Sequence, residues 1–420
     1  MSGPAPGLAA SKAPPILLPG EHFAAALLFL LVGAIGVIVI APDLAAGAYP
    51  APRVVGVTHL FTLGWITTSI MGALYQFLPV ALGEPIRSVR AGHLSFLLHA
   101  PGFALFVAGL FFGATTLLLA GAATLGVGVL IFAANLGATL WRSTRRDVTW
   151  WALAGADLFL VVTLVFGLAL AGNLRWAYLG SDHRIALGTH LHVALAGWVL
   201  LVMVGVAHRL LPMFLLSHGA GDRFAKAAVA LLAAGAATLA VAHHGPPIVS
   251  RWLPAGLIGA GLFAFLLQAR QFYRHRHRPV LDPGMRLAAA ALGLLAVGLA
   301  LAGPVVLTAA SARVSTAYVL VIVLGISLFV AAHYYKIIPF LVWHHRFGPL
   351  VGKGPVPRVS ELYSSREATA AGALLVLGTV TLTAAAAFGA PVAARGGAVL
   401  LALGAAIEAR QLVALARRAP

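Results

Sequence analysis

The chain has 420 residues, 61 % hydrophobic and only 9 % charged, with a mean hydropathy of +0.97. A soluble protein carries about 25 % charged residues, so a water-facing globule is excluded, and the absence of alternating apolar and polar segments excludes a membrane β-barrel. There is no cysteine, which removes disulfides, thiolate metal sites and cysteine-tethered cofactors. Histidines number 16 against 11 acids, so any buried metal chemistry must use imidazole, and the net charge of +17 reports membrane orientation rather than a nucleic-acid partner.

The first 20 residues, rich in Pro, Gly and Ala, have no apolar core before Leu18. They read as a disordered or interfacial cytoplasmic tail and not as a cleaved signal peptide. Apolar runs between charged or Pro/Gly breaks then predict helical spans near 22–41, 54–79, 94–113, 116–140, 150–171, 186–212, 226–244, 254–271, 286–308, 314–340, 368–388 and 396–416. Each is close to the roughly 20 residues that cross about 30 Å of hydrocarbon. The expected fold is all-α, twelve transmembrane helices in one domain over residues 1–420. With both termini inside, the outer loops hold only Arg53, Arg175, Arg184, Arg251, Arg313 and Arg395, and the other 22 of the 28 Lys and Arg lie inside. That bias is the orientation rule of a bacterial-type inner membrane. The basic run Arg274–Arg278 reads as a cytoplasmic loop in contact with anionic lipid.

A repeat crosses this pattern. His59 in the second span is followed by Gly64, Trp65, Gly72 and Pro79; His192 in the sixth is followed by Gly197, Trp198, Gly205 and Pro212. The spacing between the two sets is 133 residues at every position. A weaker copy closes the tenth span, where Pro339 follows Pro212 by 127 residues. Spans two, six and ten are each four apart, so the chain reads as three pseudo-symmetric four-helix arcs. Transporters with twelve spans more often repeat as two halves of six.

His59, His190, His192, His243 and His244 fall at comparable depth toward the outer face. An ionisable residue inside a span is costly and is a functional hypothesis by default, although any single one could be a satisfied core or interfacial histidine. His190 and His192 are two apart, so on a helix they point about 200° from each other and address two different partners. Gly64, Gly72, Gly197 and Gly205 either let a flat cofactor approach the backbone or let neighbouring helices pack closely.

These residues resemble the haem–copper oxidase superfamily, catalytic subunit I, including its nitric-oxide-reductase relatives. The resemblance is carried by His59-Leu-Phe-Thr-Leu-Gly, by Gly72-Ala-Leu-Tyr-Gln-Phe-Leu-Pro79-Val-Ala-Leu-Gly83, and by His190-Leu-His192-Val-Ala-Leu continuing to Gly205 and Leu-Pro212-Met-Phe214. It covers the twelve-span layout loosely and these two spans closely. It implies that His59 and His192 are the axial pair of a low-spin haem, b-type, and that His190 holds a second haem. By their order, His243 and His244 resemble part of the family's copper site. The departures mark a divergent member: the family's His-x-His pair lies on the tenth span, not the sixth. Neither a third copper ligand nor a modified tyrosine is identifiable.

The resemblance implies respiratory electron transfer or O₂ or NO reduction, with one or two haems and with copper left open. The electron donor (a cytochrome c, a cupredoxin or a quinol), further subunits and membrane lipid are the implied partners. Backbone carbonyls or threonines near Thr58 and Thr189 are candidates to orient the imidazoles. Arg53, Arg175, Arg184 and Arg251 are candidates for haem propionates or for simple interfacial anchoring. Asp157, in the fifth span, is a candidate proton-path residue beside the reading of a hydrogen-bonded structural acid, with Asn135, Gln76 and Lys336 also inside spans. His208, His333, His344 and His345 are expected at the inner headgroup surface. The alternative function is a secondary transporter or metal-handling permease whose intramembrane histidines bind the cargo cation; it predicts a colourless protein.

Overall fold

The computed structural model describes residues 13–308 and 310–418. The part of the N-terminal tail before residue 13 lies outside the described residues. Twelve helices among the described residues are long and apolar enough to cross a membrane: Leu17–Ala46, Pro52–Leu82, Val89–Phe112, Thr115–Arg142, Val148–Trp176, Gly180–Leu215, Arg223–Ala242, Ile248–Arg274, Pro283–Leu307, Ala312–Leu350, Ser365–Phe388 and Pro391–Arg417. No β-strand forms among the described residues; a single isolated bridge joins Ser217 and Arg276. The protein is an all-α, multi-pass membrane protein.

Most spans run a turn or so beyond the apolar runs, and five of them begin at a polar residue that caps them. Ser88, Asp147, Asp282, Ser311 and Ser364 sit just before five spans, and their side chains accept from the N–H groups of Ala91, Trp150, Met285, Val314 and Glu367. Each satisfies a backbone donor that has no partner inside its own helix. The second span ends at Gly83, whose φ of 74° closes the helix in the left-handed region that a residue without Cβ occupies at little cost.

The chain forms two compact units. The first comprises the described residues up to Phe23 and Thr67–Arg278; the second comprises Ala24–Ile66 and the described residues from Pro279 on. Within the first unit, spans three and four approach until a Cβ at Gly102 would stand 2.5 Å from the Leu125 nitrogen, and one at Gly128 would stand 2.7 Å from the His99 nitrogen. Spans seven and eight repeat this, with Gly261 against the Leu232 nitrogen at 3.0 Å. In the second unit spans eleven and twelve do the same, with Gly378 against the Leu401 nitrogen at 2.5 Å and Gly397 against the Leu382 nitrogen at 2.7 Å. Lipid tails are as apolar as leucine, so helices in a bilayer associate through close packing, and small residues permit it. A glycine-sealed hairpin thus recurs every four spans, the period of the sequence repeat.

Candidate functional site

His59, in the second unit, ends the α-helical turn Pro52–His59, and a π-helical stretch, Leu60–Thr67, begins at the next residue. His192, in the first unit, ends His183–His192 and is followed in the same way by the π-helical stretch Val193–Leu200. Ordinary α-helix resumes at Thr68 and at Leu201. A π-turn accommodates extra backbone at a cost in stability, and such turns occur frequently at functional sites. Both are eight residues long and start at the same repeat position.

The two imidazoles are also held alike. Nδ1–H of His59 donates to the Val55 carbonyl and that of His192 to the Gly188 carbonyl, each at 2.8 Å. A carbonyl only accepts, so the proton lies on Nδ1 and the lone pair on Nε2, the tautomer of an Nε2 metal ligand. Backbone carbonyls therefore fill the orienting role; Thr58 instead donates to the Val54 carbonyl at 2.9 Å. The same bond occurs at His22, to Leu18, and at His333, to Phe329. Ring orientation alone does not single out the pair; an eight-residue π-helical stretch beginning at the very next residue does, the other two π-helical stretches among the described residues, Ile248–Trp252 and Trp343–Phe347, being five residues long.

Below each histidine the repeat builds core. Trp65 is fully buried, its Nε1–H donating to the Ser327 carbonyl at 3.4 Å in the second unit, and Trp198 donates to Thr67 Oγ1 at 3.2 Å in the first. Of the glycines, Gly72, Gly197 and Gly205 serve helix packing. Added Cβ atoms there would stand 2.7 Å from His22 Cβ, 2.6 Å from Phe159 Cγ and 2.8 Å from Ala152 Cβ. The tenth span places Val319 twenty residues before Pro339, where the other two copies place histidine, so the third copy keeps the helix end and lacks the imidazole.

His190 packs on the fifth span, its Nδ1–H toward the Thr163 carbonyl at 3.2 Å and its ring over Gly167. His243 caps the seventh span, donates to the Ala240 carbonyl at 2.9 Å and sets its ring edge-on to Phe166 of the fifth span at 5.4 Å. His244 lies beside it, ring centroids 4.3 Å apart. His190 and His243 thus meet one stretch of the fifth span, residues 163–167. Among the described residues no three His, Cys, Asp or Glu side chains converge as a metal cluster.

Asp157 faces the fourth span at Gly137, and its Oδ1 is buried without a hydrogen-bond partner among the described residues. Asn135 is a backbone clamp: its amide accepts from the Ser88 N–H at 3.0 Å and donates to the Ser88 carbonyl at 2.9 Å. Lys336 is ion-paired with Asp282, and Arg53 with Asp43 at 2.5 Å. His333 departs from the headgroup position expected for it: it is 6 % exposed and lies inside the tenth span, against Phe329.

Several polar residues gave no signal in the sequence. His22 is fully buried, Nε2 without a partner among the described residues, its ring between Tyr75 and Phe96. His93 pairs with Glu21 at 2.8 Å and His99 with Thr68 Oγ1 at 2.9 Å. These partners are 31 to 72 residues apart in sequence, beyond the reach of local spacing. Glu408, alone among the acids in being fully buried, was also missed. Its place inside a hydrophobic run was the available signal, masked by neighbouring Arg410. Comparison with protein-family models and with curated proteins gives no match.

Proposed function

We propose that the chain is a haem-binding protein of a bacterial-type inner membrane, both termini cytoplasmic, acting in respiratory electron transfer or in O₂ or NO reduction. His59 and His192 are the side chains that would hold the haem. The observation that carries this reading is the duplicated histidine cradle: two half-buried imidazoles at matched repeat positions, each locked as the Nδ1–H tautomer by a carbonyl four residues back and each followed by an eight-residue π-helical stretch. A backbone carbonyl on the far ring nitrogen is the usual outer-shell partner of a metal-bound imidazole. The donor set fits haem iron, for which neutral imidazole is a strong ligand.

A haem held there would supply one-electron transfer. The chain's own part is to fix both rings and to keep the ligand lone pairs on Nε2. The resemblance assigns the two rings to one iron. His190 is oriented independently by the Thr163 carbonyl, and we assign it to a second haem, with His243 and His244 as the imidazoles for copper. The basic side of the spans faces the cytoplasm under the positive-inside rule.

The test is the reduced-minus-oxidised optical spectrum of the protein purified from haem-replete membranes. Sharp α and β bands are expected in the wild type, with loss of the low-spin signal in both His59→Ala and His192→Ala. Carbon monoxide should shift the reduced spectrum through the His190 haem. A colourless protein from haem-replete cells would overturn the reading and leave the histidines to a transported cation.

A further inference from the structure

Glu408 lies near the end of the twelfth span, is fully buried, and has neither carboxyl oxygen in a hydrogen bond among the described residues. Burying an ionised carboxylate without a partner is severely unfavourable, whereas the neutral acid keeps its own proton and loses far less. Gln411, at the i+3 position and so on the same helix face, holds its amide 3.4 Å from the hydroxyl of Tyr335 on the tenth span. Tyr335 is 1 % exposed and within electrostatic range of Glu408, and its ring meets Tyr363 at 5.4 Å.

Beyond Gln411 a cavity of about 310 Å³ reaches the basic side of the second unit, walled by Tyr363, Ser364, Glu367, Arg410, Gln411 and Arg418. The other charges around it are engaged. Glu367 of the eleventh span pairs with Arg410 at 2.7 Å, and Lys336 of the tenth with Asp282. Gln411 lines the cavity, its amide bridging the Ser364 carbonyl and the Ala368 N–H at 3.1 Å each as well as lying against Tyr335, so it stands between the water-accessible space and the Glu408 face of the helix.

We propose that Glu408 is a proton-binding site, loaded and emptied from the basic face through this cavity and the Gln411–Tyr335 pair. The step is a proton transfer alone. A hydronium in the cavity gives up its proton, the carboxylate becomes the acid, and the same path runs in reverse; no electron moves and no co-reactant is needed. The site stands on residues of the second unit and does not depend on what His59 and His192 bind.

The experiment uses the full-length protein in lipid nanodiscs. Dicyclohexylcarbodiimide, an apolar reagent that adds only to protonated carboxyls, should label Glu408 in preference to the ion-paired Glu367, and labelling should fall as pH rises. In the infrared, the wild type should show a carboxylic-acid C=O band that shifts on transfer to D₂O and is missing from E408Q. Gln411→Leu should slow that shift by an order of magnitude or more without removing the band. The absence of both the adduct and the acid band would overturn the assignment of a stored proton. A band that exchanges equally fast in Gln411→Leu would overturn the route. The labelling arm reads the wild type, so it stands even if a variant fails to fold.

Discussion

Alanine substitution at two glycines of one hairpin should have opposite effects on stability. At Gly102 the new Cβ would stand 2.5 Å from the Leu125 nitrogen and 3.1 Å from both Leu125 Cα and the Thr124 carbonyl carbon, all backbone atoms that no rotamer can move. At Gly126, the residue after Leu125 but facing the fifth span, the nearest atoms are the Leu164 Cδ1 at 3.5 Å and the Leu168 methyls at 3.8 Å, ordinary contacts with side-chain ends. Restoring normal contact at Gly102 requires spans three and four to separate by about 1 Å, a gap that forfeits roughly a quarter to a half of each dispersion contact on that face. Overpacking of this kind costs about 1–3 kcal/mol, offset by up to about 1 kcal/mol from replacing a helical glycine. Gly102→Ala should therefore destabilise by up to about 2 kcal/mol even after the full offset, and Gly126→Ala should stabilise by up to about 1 kcal/mol. Reversible unfolding in mixed micelles, titrated with SDS and followed by far-ultraviolet circular dichroism, reads both. Equal shifts of one sign in the two variants would refute the claim that backbone proximity at the glycines holds the hairpin.

Asn135→Ala removes two hydrogen bonds to the Ser88 main chain, and a loss of about 2–3 kcal/mol in the same titration is expected; a loss within error of zero would show that water replaces the clamp. For Lys336 and Asp282, 14 % and 19 % exposed, Lys336→Met should cost about 3 kcal/mol by leaving a half-buried carboxylate without its cation. The double variant Lys336→Met, Asp282→Asn should recover most of that, because the Asn can still cap Met285. Additive losses would mean that the two side chains are not coupled.

The twelve spans were legible because each is a run of apolar residues near the membrane's own thickness, and the repeat was legible because His59, Trp65 and Pro79 recur at one spacing as His192, Trp198 and Pro212. Span ends were less so: caps such as Ser88 and Asp282 lie outside the apolar runs and extend the helices into polar sequence. The π-helical turns were invisible, since an extra residue in a helix leaves no mark in composition. Glycines 72, 197 and 205 carried two meanings in sequence, and only the positions of His22, Phe159 and Ala152 decide for packing. Lys336 and His333 sit three residues apart in the tenth span, yet Lys336 meets Asp282 and His333, expected at the headgroup surface, turns into the core. Which way each faces depends on partners that local spacing does not specify.

Near-infrared magnetic circular dichroism of the oxidised protein would show whether His59 and His192 ligate haem iron, because the charge-transfer band of low-spin ferric haem identifies its axial ligands. The bis-imidazole band is expected in the wild type and should disappear in both His59→Ala and His192→Ala. A low-spin haem with any other ligand pair, or a bis-imidazole band that survives either substitution, would contradict that ligation.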